Sequence, residues 1–267
     1  EKTGAPANAS GRWATALGMP DLIRRNKARQ ETIVELLDRY VFLSRQAVDI
    51  VAANGADRTK LALNYLGTSH ADIQQKPGPD ERPTGLPIRL GYVGRLDRIK
   101  GVLDLARAFR ALPSSLPVQL EYCGPNEAGE ALAIAEEIRR IVGDDNRVTM
   151  TGAAAHSEIP DRLRSYDVLC VPSITFEGGP TVIHEARAAG TPVIGTSIGA
   201  IPELVRDGID GALVQAGNWR ALSALVASIA ANPAVTVDHW RRNLQRARSM
   251  DDVAAEYEVL YDEIMAT

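Results

Sequence analysis

From residue 88 onward, short apolar runs alternate with stretches of helical periodicity. The strand-like runs are IRLGYVG from Ile88, VQLEYCG from Val118, RVTMTG from Arg147, DVLCVPS from Asp167, TPVIGT from Thr191 and a shorter GALV from Gly211. Helical stretches begin near Lys100, Glu127, Ser157, Pro180, Ile201 and Trp219. This alternation predicts an α/β fold, a parallel sheet with helices on both faces. The near-continuous apolar character of the runs agrees, because a strand covered on both sides keeps no polar face. The stripe WRALSALVASIA from Trp219 reads as a helix turned to the core.

The first 70 residues follow a different rhythm. A helical pattern through Ile33, Val34, Leu36 and Leu37 leads into the apolar run YVFL, a turn at Ser44, a second helix and the run KLALNYLG. About two strands is too little sheet for an independent α/β domain, so the segment is expected to belong to something larger. Between the two parts, ADIQQKPGPDERPTGLP at residues 71–87 places Pro77, Pro79, Pro83 and Pro87 where no helix or strand period survives, and reads as a linker.

Composition narrows the function classes. Of 267 residues, 45% are apolar and 24% charged, with a net charge of -4, which excludes wholesale disorder and an overall electrostatic hold on nucleic acid. No run approaches the ~18 apolar residues of a membrane helix. The expected location is cytoplasmic, with membrane association left open. The chain opens with Glu1 rather than methionine, so a fragment is expected. Cys123 and Cys170 sit in apolar runs and read as buried thiols, with neither a disulfide framework nor a metal site. His156 and His184 read as surface or capping residues. The NAS pattern at Asn8 matches a glycosylation acceptor, although nothing else indicates secretion.

Ligands of parallel α/β sheets bind beyond the carboxyl ends of the strands, and the chemistry-bearing residues cluster there. In TFEGGPTVIHEARAAGTPVI, residues 175–194, Pro180 suits a helix start, and Gly178 and Gly179 are read as a tight turn before it. The amides of Thr181 and Val182 then lack helical partners at the positive end of the dipole, an anion site suited to phosphate. Glu177 before the helix and Glu185 inside it bracket that site, and both carboxylates can accept hydrogen bonds from hydroxyls. After the first strand, GRLDRIKG supplies Gly94 for close backbone approach, the donor fork of Arg95 and the point charge of Lys100. Two cations facing one diphosphate would each matter. As a dinucleotide fingerprint the loop fails, because G-x-x-G stands where G-x-G-x-x-G is needed.

Together, GRLDRIKG, VPSITFEGGPTVIHEARAAGTPVIGT and GAIPELVRDGIDGALV resemble the nucleotide-sugar-binding half of the retaining family-4 glycosyltransferases, also called group 1 glycosyl transferases, over roughly residues 85–232. The resemblance implies a GT-B architecture of two Rossmann-like domains across a cleft. Residues 1–70 would be the end of the N-terminal acceptor domain, 71–87 the linker, 88–235 the Rossmann-like donor-binding domain, and 236–267 C-terminal helices, the last packing toward the N-terminal domain. Carried over position by position, Arg95 and Lys100 would bind the diphosphate and Glu177 would contact the donor sugar near the reacting carbon. Glu185 would hold the ribose hydroxyls, and Gly94, Gly178, Gly179, Pro180, Thr181 and Val182 would shape the phosphate cradle. The implied reaction moves a sugar from a UDP or GDP donor to an acceptor hydroxyl of a glycan, lipid or small molecule, with retention and without cofactor or metal. The absence of an Asp-x-Asp cluster agrees with the last point.

Some positions depart from the family pattern. GAIPE stands where GG-x-PE is common, Arg187 where methionine is frequent, and CGPNEAGE alters the turn after the second strand. None of the four histidines can be assigned the catalytic-site role usual in the N-terminal domain. By itself the chain is therefore expected to bind donor and transfer little. Its final helix is expected to leave Val253, Tyr257 and Leu260 partly uncovered. A sugar-nucleotide epimerase of the same architecture and a non-catalytic nucleotide-sugar-binding module are the alternatives.

Overall fold

The computed structural model describes residues 12–71 and 85–266. Asn8 and most of the 71–87 break therefore lie outside the described residues. Helix α1 (Arg12–Leu36) leads into a small βαβ unit, in which β1 (Tyr40–Phe42) and β2 (Leu61–Leu63) pair in parallel on either side of α2 (Arg45–Ala53). The turn expected at Ser44 is a helix cap. Ser44 is extended and its hydroxyl accepts from the Ala47 amide at 3.3 Å, satisfying one of the first unpaired N–H groups of α2.

The larger layer is a six-stranded, wholly parallel sheet. Its strands are β3 (Ile88–Val93), β4 (Val118–Cys123), β5 (Val148–Met150), β6 (Val168–Val171), β7 (Val193–Thr196) and β8 (Gly211–Val214), in the spatial order β5-β4-β3-β6-β7-β8. The connecting helices are α3 (Val102–Arg110), α4 (Gly129–Val142), α5 (Ile159–Ser165), α6 (Thr181–Ala188) and α7 (Ile201–Leu204). Helix α8 (Trp219–Ala231) follows β8, and the short α9 (His239–Arg242) and long α10 (Met250–Met265) close the chain. One core joins the Leu90, Tyr92, Leu120 and Tyr122 face to α3, α4 and α8, and α8 buries Leu222, Val226, Ile229 and Ala230 as its apolar stripe predicts. A second core packs Leu163, Tyr166, Leu169, Ile183 and Ile201 on the opposite face.

The near-continuously apolar strands expected from sequence are found most fully in β6 and β7, every residue of which is buried. β3, β4 and β5 instead alternate. Arg89, Gln119 and Thr149 are exposed on the second face, where Tyr166 lies against Gly91 and donates to Glu121 at 2.7 Å. Helix α5, at seven residues about 10 Å long, is too short to cover this half of the sheet, so its second face stays polar there.

Direct contacts tie the βαβ unit to the larger layer. The carboxylate of Glu203 on α7 accepts from the Arg45 amide at 2.8 Å, the Gln46 amide at 2.9 Å and the Tyr65 hydroxyl at 2.7 Å. A charge from one layer thus sits at the positive end of a helix in the other. Arg248 donates to Asn64 Oδ1 at 2.8 Å and to the Tyr65 carbonyl at 3.1 Å, and Asn64 donates to the Val253 carbonyl at 3.1 Å. The start of α10 therefore packs on the chain just after β2. Val253 is buried by this contact, contrary to the expectation that it would be uncovered, whereas Tyr257 and Leu260 are half-buried.

Candidate functional site

In the sheet order, chain progression reverses between β3 and β6. From β3 the connections run outward to β4 and β5 on one side, then return to β6 and run outward to β7 and β8 on the other. The crevice beyond the carboxyl ends of β3 and β6 is where such a sheet leaves room for a ligand. A cavity of about 210 Å³ lies there. Seven of the ten residues singled out from sequence line it: Gly94 and Arg95 after β3, Lys100 before α3, Glu177 after β6, and Pro180, Thr181 and Val182 at the head of α6.

The three others stand apart. Gly178, Gly179 and Glu185 do not line the cavity. The chain bends at Gly178 ahead of α6, as the tight-turn reading expects, but neither Gly178 nor Gly179 has a positive φ, so the bend does not draw on a glycine-only conformation. Gly179 instead admits the βαβ unit, since a Cβ there would stand 3.2 Å from both Leu43 Cβ and Leu66 Cδ1. Glu185 is half-buried one turn into α6, and its carboxylate has no hydrogen-bond partner among the described residues.

The charges in the cavity are partly spoken for. Lys100 Nζ donates to Glu177 Oε1 at 2.6 Å, and Ser173 Oγ donates to the same oxygen at 2.6 Å. The Lys100 side chain is 28% exposed and that of Glu177 12%, so this pair is screened less than an ordinary surface pair. Arg95 is exposed and its guanidinium has no hydrogen-bond or ion-pair partner among the described residues. Among the described residues the amides of Thr181 and Val182 donate to no backbone carbonyl, whereas that of Ile183 bonds to the Pro180 carbonyl at 3.1 Å. Two N–H groups at a helix N-terminus, one unpaired guanidinium and one ammonium thus converge on a small volume, an arrangement selective for an anion.

Several residues that sequence reasoning missed set this geometry. Tyr92 lies beneath the β3 loop and donates its hydroxyl to the Arg95 carbonyl at 2.5 Å. Burial, then the charges of Glu177 and Asp97, push its ionisation well above the ordinary tyrosine range, so it acts as a fixed neutral donor. Ser173 is buried and its carbonyl accepts from Thr196 Oγ1 at 2.6 Å, which holds its hydroxyl under Glu177. Gly199 has a φ of +63°, and a Cβ there would fall 2.5 Å from both the amide nitrogen and the carbonyl oxygen of Glu177. The Ala200 amide also donates to the Glu177 carbonyl at 2.7 Å. The GAIPE segment therefore supports the Glu177 backbone from below. Its first glycine was visible as a family motif, but its partner 22 positions earlier was not. Cys170 at the cavity floor is buried and its thiol is pushed up to about 12, so it is an inert wall.

His184, expected as a surface or capping residue, is instead buried on α6 behind the site. Burial, with smaller contributions from Arg187 and Arg248, holds its imidazole at about 4 against the ordinary 6.5. An unfolded chain takes up this proton below about pH 6.5 while the native one stays neutral until about pH 4. Native stability is therefore lost as pH falls between those values, by about 2–3 kcal/mol at pH 4.5. Urea titrations at pH 7.5 and 4.5 should show that His184→Leu removes this part of the acid sensitivity. An unchanged difference between the two pH values would rule it out.

Comparison with known proteins follows the same residues. The family model described as glycosyl transferases group 1 matches residues 87–232. D-inositol 3-phosphate glycosyltransferases of Mycobacterium bovis and Mycobacterium tuberculosis are 29% identical over 204 residues, covering 71% of this chain and 41% of theirs. The chain thus spans less than half the length of these relatives. Among solved structures, Anabaena HepE in complex with UDP and glucose superposes with a TM-score of 0.73 at 21% identity, over 88% of this chain and 67% of that one. Sucrose-phosphate synthase from Thermosynechococcus elongatus gives 0.72 at 25% identity, over 90% and 62%.

Proposed function

The chain belongs to the group 1 glycosyl transferases, and from that premise we propose that it is the part of a retaining, metal-independent enzyme that holds a nucleotide-diphosphate sugar. The observation that carries this reading is the convergence of Arg95, Lys100 and the free Thr181 and Val182 amides at the reversal point of the sheet. The same fold carries UDP and UDP-glucose in HepE. A volume of about 210 Å³ is below the ~300–1,000 Å³ of a complete small-ligand pocket. It suits the diphosphate and its neighbourhood, and the nucleoside then extends over the open surface toward Glu185.

In this reading the protein's contribution is electrostatic. As the bond between the anomeric carbon and the phosphate oxygen breaks, negative charge grows on the leaving diphosphate. Arg95, Lys100 and the head of α6 stabilise that charge more in the transition state than in the ground state. Glu177, fixed by Lys100 and Ser173, orients the sugar and supports positive character at the anomeric carbon. Transfer is assigned to this part together with an acceptor-holding domain, because positioning of the acceptor supplies about 7–11 kcal/mol of the barrier. A radiolabelled-donor assay on the chain alone checks that assignment, and full turnover would refute it.

The two carboxylates separate the roles. Glu185→Gln is expected to weaken UDP and UDP-glucose alike, since it loses a charged acceptor for the ribose hydroxyls, by about 1.5–3 kcal/mol or 10–150-fold. Glu177→Gln should spare UDP and weaken only the sugar-bearing donor. Isothermal titration of both variants with both ligands decides the matter. Equal losses in all four titrations would contradict the assignment, as would no loss in any.

A further inference from the structure

Outside the cavity, two of the four histidines of the chain face each other across the junction between its two layers. His70 follows β2, and His156 opens the 3-10 turn ahead of α5. Their Nε2 atoms stand 3.3 Å apart, with ring centroids at 4.9 Å and planes tilted by 41°. Neither residue lines the cavity.

We propose that His70 and His156 form a two-imidazole chelate for a borderline divalent cation of the Zn²⁺ type, joining the end of the βαβ unit to the β5–α5 connection. Three observations carry this. The first is the spacing. Two imidazole nitrogens bound at 2.0–2.1 Å with a tetrahedral angle between them lie about 3.3–3.4 Å apart, which is the separation seen. The second is anchoring. The His70 amide donates to Thr68 Oγ1 at 3.1 Å, and the Thr68 amide donates to the Arg248 carbonyl at 2.8 Å. On the other side, the Ala155 amide donates to Glu158 Oε2 at 2.9 Å and the Glu158 amide to the Ala155 carbonyl at 2.9 Å, closing the turn that presents His156. Both rings therefore stand on pinned backbone, and little ordering remains for an ion to impose.

The third is accessibility. His156 is exposed and His70 half-buried, so an ion can enter and complete its coordination with water. Among the described residues no group of three or more His, Cys, Asp and Glu gathers to hold a metal, so the proposed chelate has these two protein ligands. The ligand type sets the selectivity. Imidazole suits zinc, nickel and copper, whereas magnesium and calcium require oxygen. Without metal, the contact is a hydrogen bond in which one Nε2–H donates to the other ring. On binding, the donating ring carries its proton on Nδ1 instead and both Nε2 lone pairs face the ion.

The test uses the tag-free 267-residue chain with zinc chloride in a non-coordinating buffer. Isothermal titration should show one submillimolar equivalent, and NMR should show zinc shifting the ring signals of His70 and His156 while those of His184 and His239 stay in place. His70→Ala and His156→Ala should each weaken binding by at least about tenfold, the loss that even outer partners of a metal ligand bring. His239→Ala, a change at an exposed histidine elsewhere, should leave it intact. No submillimolar binding by the parent would overturn the proposal, and so would retention of binding in either His70→Ala or His156→Ala.

Discussion

Gly101→Ala is expected to be the most damaging single methyl group that can be added to this chain. Gly101 ends the 3-10 turn of Arg98–Lys100 and caps α3 at φ +70° and ψ 18°, a left-handed conformation that costs an alanine about 1–2 kcal/mol. The larger cost is contact. A Cβ there would stand 1.8 Å from the Pro172 carbonyl oxygen, which is backbone and cannot rotate away. The Ile174 amide donates to the Ile99 carbonyl at 2.9 Å beside it, so the β3–α3 and β6–α6 loops must move apart together. Those loops carry Lys100 on one side and Ser173 and Glu177 on the other. We expect a loss of at least about 4 kcal/mol, beyond what most single substitutions cause. The melting temperature should fall by about 8–16 °C. Gly217→Ala is the control, because Gly217 has a φ of +76° with nothing within 4 Å of an added Cβ, and it should lose only the conformational part. Calorimetry giving both variants the same melting temperature would show that the packing of the two loops does not matter.

That contact also marks the boundary of what the sequence makes legible. Periodicity is local, and local features are where the reading and the structure coincide. Helix starts expected near Lys100, Glu127, Pro180, Ile201 and Trp219 are found at Val102, Gly129, Thr181, Ile201 and Trp219. Burial of Cys123 and Cys170 likewise follows from the runs that hold them. The exposed positions in IRLGYV and VQLEYC were equally visible, and treating those runs as near-continuously apolar passed over Arg89 and Gln119. What no window reveals is pairing between distant loops. Lys100 and Glu177 are 77 positions apart, and Glu203 is 158 from Arg45, whose amide it accepts from. For His184, a polar residue between Ile183 and Glu185 carries no local mark of its burial or of the distant Arg248 charge that acts on it. The family motifs brought the candidate residues to one end of the sheet, but their mutual contacts come only from the fold.

The Lys100–Glu177 pair changes what removal of Lys100 should do to diphosphate binding. In the parent, Lys100 neutralises a carboxylate that is only 12% exposed and that lines the proposed phosphate cavity. Lys100→Ala therefore does two things, removing one cation from the anion and leaving the Glu177 charge facing it with Ser173 Oγ as its one remaining partner among the described residues. We expect UDP to bind more weakly by at least the ~1.5–3 kcal/mol of a charged hydrogen bond, or 10–150-fold. Glu177→Gln in the parent should leave UDP affinity nearly unchanged. In the Lys100→Ala background the same substitution should restore part of the loss, with a coupling of about 0.5–3 kcal/mol, because it removes the uncompensated charge. Arg95 supplies the contrast. Its guanidinium has no partner among the described residues, so Arg95→Ala should weaken UDP by a similar charged-contact amount whether or not Glu177 is present. Isothermal titration of the parent, the three single variants and the two double variants measures each term. Unchanged UDP affinity in both Lys100→Ala and Arg95→Ala would remove the diphosphate from this cavity. If instead Lys100→Ala binds weakly and Glu177→Gln restores nothing, the cation acts by direct contact alone and the charge-balancing role of the pair fails.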